Sequence, residues 1–329
     1  MVEQLDTRVL KTLGQHDREG WNPSTATIMR TWSFPCPHFL LRKRRCNMEH
    51  RNLGAIPSPY DVRDFTLRAL PPQEFPDEFD LGVVAIKDQE SAPTCMPHTM
   101  SEIIEYHNFH QKGKYTRFST EYIYGNRKND YTVEGMYMRD ALQVTLSRGD
   151  VPYDMMPGNH WAAEARANVQ PKNLILRGIA YPNRISSYYL ITNTDELKYA
   201  LIHHGPVAAG MIWYWDYELQ NNAYIYKSQK DGFDYHAVLI VGWTKDHWIV
   251  QNSWGEQWGD KGRFYIPMSY GLNLFFELYG VTDDITCLHT PNFLINKFGK
   301  VINFFVRLYK KIMAVSGESD PVQRRPQKG

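Results

Sequence analysis

The stretch Asp88-Gln89-Glu90-Ser91-Ala92-Pro93-Thr94-Cys95-Met96-Pro97 decides how this chain is read, because it sets a cysteine at the start of an apolar helical pattern. Met96, Met100, Ile103, Ile104 and Phe109 fall close to a helical period, and Lys112-Gly113-Lys114 carries the charge and glycine of a helix end. Thr94 is an acceptable N-cap, and Pro97 suits a first turn whose amides have no intrahelical partner. Cys95 is thereby predicted at the positive end of a helix, where a thiol ionises more easily. A cysteine nucleophile also needs a base, a group that orients the base, and donors for an oxyanion. Six residues before Cys95, Gln89 offers a side-chain amide that could join the Cys95 backbone amide as those donors.

The remaining parts are expected from the second half. His236 opens the apolar run Ala237-Val238-Leu239-Ile240-Val241-Gly242-Trp243, and Asn252 ends the run that begins at His247. Adjacent antiparallel strands would bring their side chains together. Further strands are read at Val207 to Trp213, Gly262 to Ile266 and Asn273 to Tyr279. Ahead of them lie short helices capped at Ser119, from Arg139 to Arg148 before Gly149, and from Asp195 to His204 before Gly205-Pro206. Helices first and strands later argue for an α+β protein with two subdomains.

With 329 residues, the chain is long enough for one large domain or two closely packed ones. Apolar residues at 43% and charged residues at 22% exclude disordered, collagen-like and coiled-coil classes. Lys and Arg number 37 against 36 Asp and Glu, so overall charge gives no reason to expect nucleic acid as a partner. Cys36, Cys46, Cys95 and Cys287 are too few for a disulfide scaffold, and no pair has metal-ligand spacing; no cofactor is expected.

The sequence resembles papain-family cysteine peptidases. The resemblance is carried by Asp88 to Cys95, by His236 to Trp243 and by Gln251-Asn252-Ser253-Trp254-Gly255 followed by Trp258-Gly259, with Asn252 sixteen residues after His236. It extends over roughly Pro76 to Tyr279, with Phe118 to Tyr124 resembling the segment after the active-site helix and Gly205-Pro206-Val207 the entry to the β subdomain. It implies a helical subdomain and an antiparallel β-barrel-like subdomain with the active-site cleft between them. It also implies a thiol endopeptidase that acts on proteins or peptides through an acyl-enzyme, with Cys95 as nucleophile, His236 as general base and then acid, Asn252 orienting the imidazole and Gln89 as oxyanion donor. Trp254 would shield the bond between His236 and Asn252, and Gly135 would pair its backbone with extended substrate. Ala92 stands where secreted members carry a disulfide cysteine, while Pro93, Met96 and Pro97 also depart from the pattern. A catalytically silent peptide-binding or scaffold module is the alternative.

The expected organisation is an extension or pro-region over 1–55, an extended proline-rich lead-in over 56–75, a peptidase domain over 76–285 and a basic amphipathic tail over 286–329. The lead-in Ile56-Pro57-Ser58-Pro59-Tyr60-Asp61 is similar to microbial and viral members of the family. In the tail, Lys297, Lys300, Arg307, Lys310 and Lys311 fall on one side of a helical wheel opposite Leu294, Phe298, Ile302, Phe305 and Ile312. That pattern fits docking on the body or a partner, or contact of residues 293–315 with an anionic membrane surface. The N-terminal residues lack the apolar core of a secretory signal and no apolar run is long enough to span a membrane, so a cytoplasmic setting, with or without peripheral membrane contact, is expected. Oligomeric state is not legible.

Overall fold

The computed structural model describes residues 52–61, 64–66, 74–82, 85–128, 130–227 and 232–283. Most of the extension, the tail with residues 293–315, and Cys36, Cys46 and Cys287 lie outside them. The extended segment at the N-terminal side contains β1 (Ala55–Ile56), and β2 (Phe79–Asp80) opens the body. The helical half follows: α1 (Cys95–Lys112), α2 (Thr120–Gly125), β3 (Met136–Tyr137), α3 (Met138–Ser147), α4 (Ala162–Val169) and α5 (Asn173–Ala180). Next come β4 (Ser187–Leu190) and α6 (Thr194–His204). The sheet is completed by β5 (Val207–Tyr214), β6 (Tyr217–Gln220), β7 (Ala223–Tyr226), β8 (Phe233–Trp243), β9 (His247–Gln251), β10 (Arg263–Pro267) and β11 (Phe275–Thr282).

Local chemistry explains most boundaries. Gly113 takes a left-handed conformation at φ 65° and donates its N–H to Phe109 O, ending α1. Ser119 accepts from the Tyr122 N–H to start α2, and Asn193 accepts from the Glu196 N–H to start α6. Thr94 behaves otherwise than a capping residue. Its side chain makes no cap bond and donates to Asn159 Oδ1 at 2.5 Å instead.

Nine strands form one mixed sheet in the order β4-β11-β5-β8-β9-β10-β7-β6, with β2 paired to β8. The path is open, ending on β4 and β6, so the expected barrel-like closure describes it only loosely; β10 and β7 meet in parallel. One apolar core lies around α1 and includes Met96, Met100, Ile103, Met138 and Leu142. Another lies against the sheet and includes Leu201, Trp213, Trp243, Trp248 and Phe264. The expected α+β architecture holds. α4 and α5 were not read from the sequence, because each spans only eight residues and Leu174 and Ile175 of α5 are exposed, which spoils the periodicity.

A buried polar knot anchors α1. Lys87 Nζ lies 2.6 Å from Glu105 Oε1, with the two side chains 3% and 1% exposed, and also donates to Phe118 O at 3.1 Å. Glu105 accepts from the Phe118 N–H at 2.7 Å and from Tyr115 OH at 3.1 Å. On the sheet side of α1, Gln251 Nε2 donates to Glu102 Oε2 at 3.0 Å, reaching across from β9. Removing one member of a buried pair leaves the other charge without compensation. Lys87→Met is expected to destabilise the fold by about 3–5 kcal/mol; urea unfolding followed by circular dichroism measures it, and a loss below about 1 kcal/mol would contradict a structural role for the pair.

Candidate active site

The turn from Asp88 to Cys95 is sewn to the segment after β9. Gln89 N donates to Ser253 O at 2.8 Å, Gly255 N donates to Lys87 O at 2.9 Å, and Ser253 Oγ donates to Gln89 Oε1 at 2.8 Å. From the third side, Asn159 Nδ2 donates to Gln89 O at 2.5 Å. These bonds set the start of α1 against the end of β9, which Asn252 directly follows. Cys95 is fully buried, as are Gln89, His236 and Asn252.

His236 lies in β8 opposite Met211 of β5, and Asn252 directly follows β9, which pairs antiparallel with β8. His236 Nε2 lies 2.8 Å from Asn252 Oδ1, which also accepts from the Ser253 N–H at 2.8 Å. A carbonyl-type oxygen accepts, so Nε2 carries the hydrogen and Nδ1 keeps its lone pair. Nδ1 is buried and has no hydrogen-bond partner among the described residues. Trp254 stacks on the imidazole with ring centroids 5.1 Å apart and planes 28° apart.

Burial pushes the Cys95 thiol up to about 12, against the pull of the Ala237, Met96, Ala55 and Cys95 backbone N–H groups. Burial likewise holds His236 down to about 4, opposed by its bond to Asn252. The dry site therefore favours a neutral thiol and a neutral imidazole.

What dries the site is the segment that precedes the body. Gln89 Nε2 donates to Asn52 O at 2.9 Å and to Ala92 O at 3.0 Å, and Asn52 Nδ2 donates to Ser91 O at 3.0 Å. β1 pairs in parallel with β3, and the Met136 N–H donates to Gly54 O at 2.8 Å. Gly54 sits at φ +134°, where a Cβ would lie 2.0 Å from Pro93 O. Gly135, at φ +93°, gives clearance to this strap, since a Cβ there would approach Gly54 O to 2.8 Å. Its own N–H donates to Tyr124 OH, so the amide that pairs with the strap belongs to Met136. Further along, Ser58 N and Oγ donate to the Glu277 carboxylate at 2.7 and 3.1 Å, and Arg139 Nε donates to Asp64 Oδ1 at 3.0 Å.

The structure thus brings Gln89, Cys95, His236, Asn252 and Trp254 to one place, with Gly135 facing the strap. Sequence reasoning missed the roles of Asn159 and Ser253 and, although it read an extension or pro-region over 1–55, the contacts of residues 52–56. Ser253 stood within a quoted motif, whereas Asn159 sits 70 positions from Gln89 in a loop without a signal. Among the described residues, no group of three or more His, Cys, Asp or Glu is arranged to hold a metal ion.

The model of the papain family of cysteine proteases matches residues 75–287. The chain belongs to that family. It is 25% identical over 220 residues to a cysteine protease of Blomia tropicalis, covering 62% of this chain and 64% of the relative. It is 38% identical over 93 residues to a cathepsin B-like cysteine proteinase of Ostertagia ostertagi, covering 27% of this chain and 52% of the relative. The matches therefore span about half to two thirds of those relatives. Among solved structures, xylellain, a cysteine protease from Xylella fastidiosa, superposes with a TM-score of 0.63 at 23% identity, covering 74% of this chain and 99% of xylellain, and so shares its fold. Among the described residues, no helix of this family member is long and apolar enough to cross a membrane.

The buried groups set a pH window for stability. Burial lowers His98 to about 3, and His107 and His236 to about 4, below the ordinary value of 6.5; it raises Glu102 to about 8 and Glu277 to about 7, above 4.5. Between pH 6.5 and 8 the folded chain holds a Glu102 proton that the unfolded chain has lost, so stability falls as pH rises. Below pH 4.5 the unfolded chain binds more protons through its histidines, so stability falls as pH drops. Between 4.5 and 6.5 the two sets oppose one another. Thermal melts from pH 3 to 9 are expected to peak in that middle window; a Tm that climbs steadily from pH 5 to 8 would contradict these assignments.

Proposed function

We propose that this chain is a cysteine endopeptidase held latent by residues 52–56. The observation that carries the reading is the bond from His236 Nε2 to Asn252 Oδ1, which leaves Nδ1 as a bare base within the same buried site as Cys95. In the proposed reaction, Nδ1 takes the thiol proton as Cys95 Sγ attacks a peptide carbonyl carbon. The resulting oxyanion is held by Gln89 Nε2, in the place where the Asn52 carbonyl oxygen is bound. The imidazolium then gives its proton to the leaving amine, and water, deprotonated by Nδ1, releases the acyl group and regenerates the thiol. Asn252 keeps the imidazole in the orientation this sequence requires. Protein or peptide substrate would enter where the strap pairs with β3, so catalysis requires the strap to leave.

Labelling with an epoxysuccinyl cysteine probe, mapped by mass spectrometry, tests this. Label is expected on Cys95 alone, slow in the parent chain and absent in Cys95→Ala. Gly54→Ala forces a side chain onto Pro93 O at a positive φ. Strain of about 1–3 kcal/mol there would speed labelling by about fivefold to 150-fold. Absence of label on Cys95 in both the parent and Gly54→Ala would favour a silent peptide-binding module.

A further inference from the structure

His236 is enclosed on a second side by a residue outside the motifs quoted above. Trp213 lies in β5, two positions beyond Met211, which is directly opposite His236. Alternation along a strand puts Met211 and Trp213 on one face, so Trp213 is the diagonal neighbour of His236. Its ring centroid is 5.5 Å from the imidazole with the planes at 85°, and 4.9 Å from Trp254 with the planes at 67°. Trp254 covers the face of the imidazole while Trp213 meets it edge-on and braces Trp254.

Trp213 is itself held on its far sides. Tyr217 and Tyr224 both lie with centroids 4.8 Å away, and Phe264 lies at 5.7 Å. Its side chain is fully buried, yet its Nε1 has no hydrogen-bond partner among the described residues. An unmade indole hydrogen bond in the interior costs stability. If this position served packing alone, phenylalanine would fill much of the space without that cost. The wide indole is instead placed where it reaches both His236 and Trp254.

We propose that Trp213 is a positioning residue for the reaction: with Trp254 it forms an aromatic corner that holds the His236 imidazole toward Asn252 and keeps water from their hydrogen bond. This rests on the reading of Cys95 and His236 as the reacting pair. A base that must accept a proton at Nδ1 gains from a ring that cannot swing and from an Nε2–H that does not exchange its acceptor for water. The two tryptophans supply both constraints without placing a charge beside the base.

The test uses the full chain and two variants, Trp213→Leu and Trp213→Phe. In histidine-labelled protein, the proton on His236 Nε2 is expected to give a resolved NMR signal in the parent and to vanish by exchange with water in Trp213→Leu. With hydration restored, the His236 titration midpoint should move from about 4 toward 6.5 in that variant. Alkylation of Cys95 by iodoacetamide should slow by tenfold or more in Trp213→Leu and by about threefold or more in Trp213→Phe, whose smaller ring does not span from His236 to Trp254. Circular dichroism and thermal melts establish that both variants are folded. A folded Trp213→Leu chain whose Nε2–H signal, titration and alkylation profile all match the parent would overturn the inference. If Cys95 were not selectively alkylated in either the parent or Gly54→Ala, the reading of the reacting pair would fail instead, while the Nε2–H signal would still report on Trp213.

Discussion

Three hydrogen bonds between residues 87–89 and 253–255 carry the consequences of the whole architecture. Lys87 O, the Gln89 backbone N–H and the Gln89 side chain are joined to Gly255 N, Ser253 O and Ser253 Oγ. The first group leads straight into α1 and the second directly follows Asn252. Fastening them together is what makes a cysteine from the helical half and a histidine and asparagine from the sheet belong to one site. The Lys87–Glu105 pair holds the same junction from below, and Gln251 bonded to Glu102 ties the end of β9 to the flank of α1. Hydrogen bonds of this kind contribute about 0.5–1.5 kcal/mol each. Their effect here is geometric, since they fix the segments that lead into Cys95 and follow Asn252.

Dryness is the second organising feature. The strap, the Trp254 stack and the edge of Trp213 exclude water from Cys95 and His236, and both groups respond by favouring their neutral forms. In the covered site the donors are already engaged: Gln89 Nε2 is bound to Asn52 O and Ala92 O, and His236 Nε2 to Asn252 Oδ1. The strap exploits backbone chemistry to hold this state, presenting one carbonyl to Gln89 and another to the Met136 amide.

Much of the architecture was legible because short-range signals carried it. The glycine after Lys112, the serine before Thr120 and the apolar runs of β5, β8 and β9 each act within a few residues, and their elements lie within a few positions of where they were read. α4 and α5 escaped because two eight-residue helices separated by Gln170-Pro171-Lys172 show too few turns for a period to emerge. The β6–β7 hairpin escaped as well, although Asn221 and Asn222, both at positive φ, supply the turn chemistry that announces it. Thr94 illustrates a local rule overridden from a distance, since Asn159 takes the hydroxyl that a helix cap would have used.

By itself the sequence determined the residue types and their order: a glutamine six before a cysteine at a helix start, and a histidine and an asparagine at the ends of neighbouring apolar runs. Those facts depend on local propensity and on pattern, which any short window contains. Tertiary structure alone decided that residues 52–56 would lie against Gln89 and β3, that the amide facing them would be that of Met136, and that Trp213 would stand beside His236. These are contacts between segments far apart in the chain, set by strand register and by the space left between packed elements, and no local window encodes them.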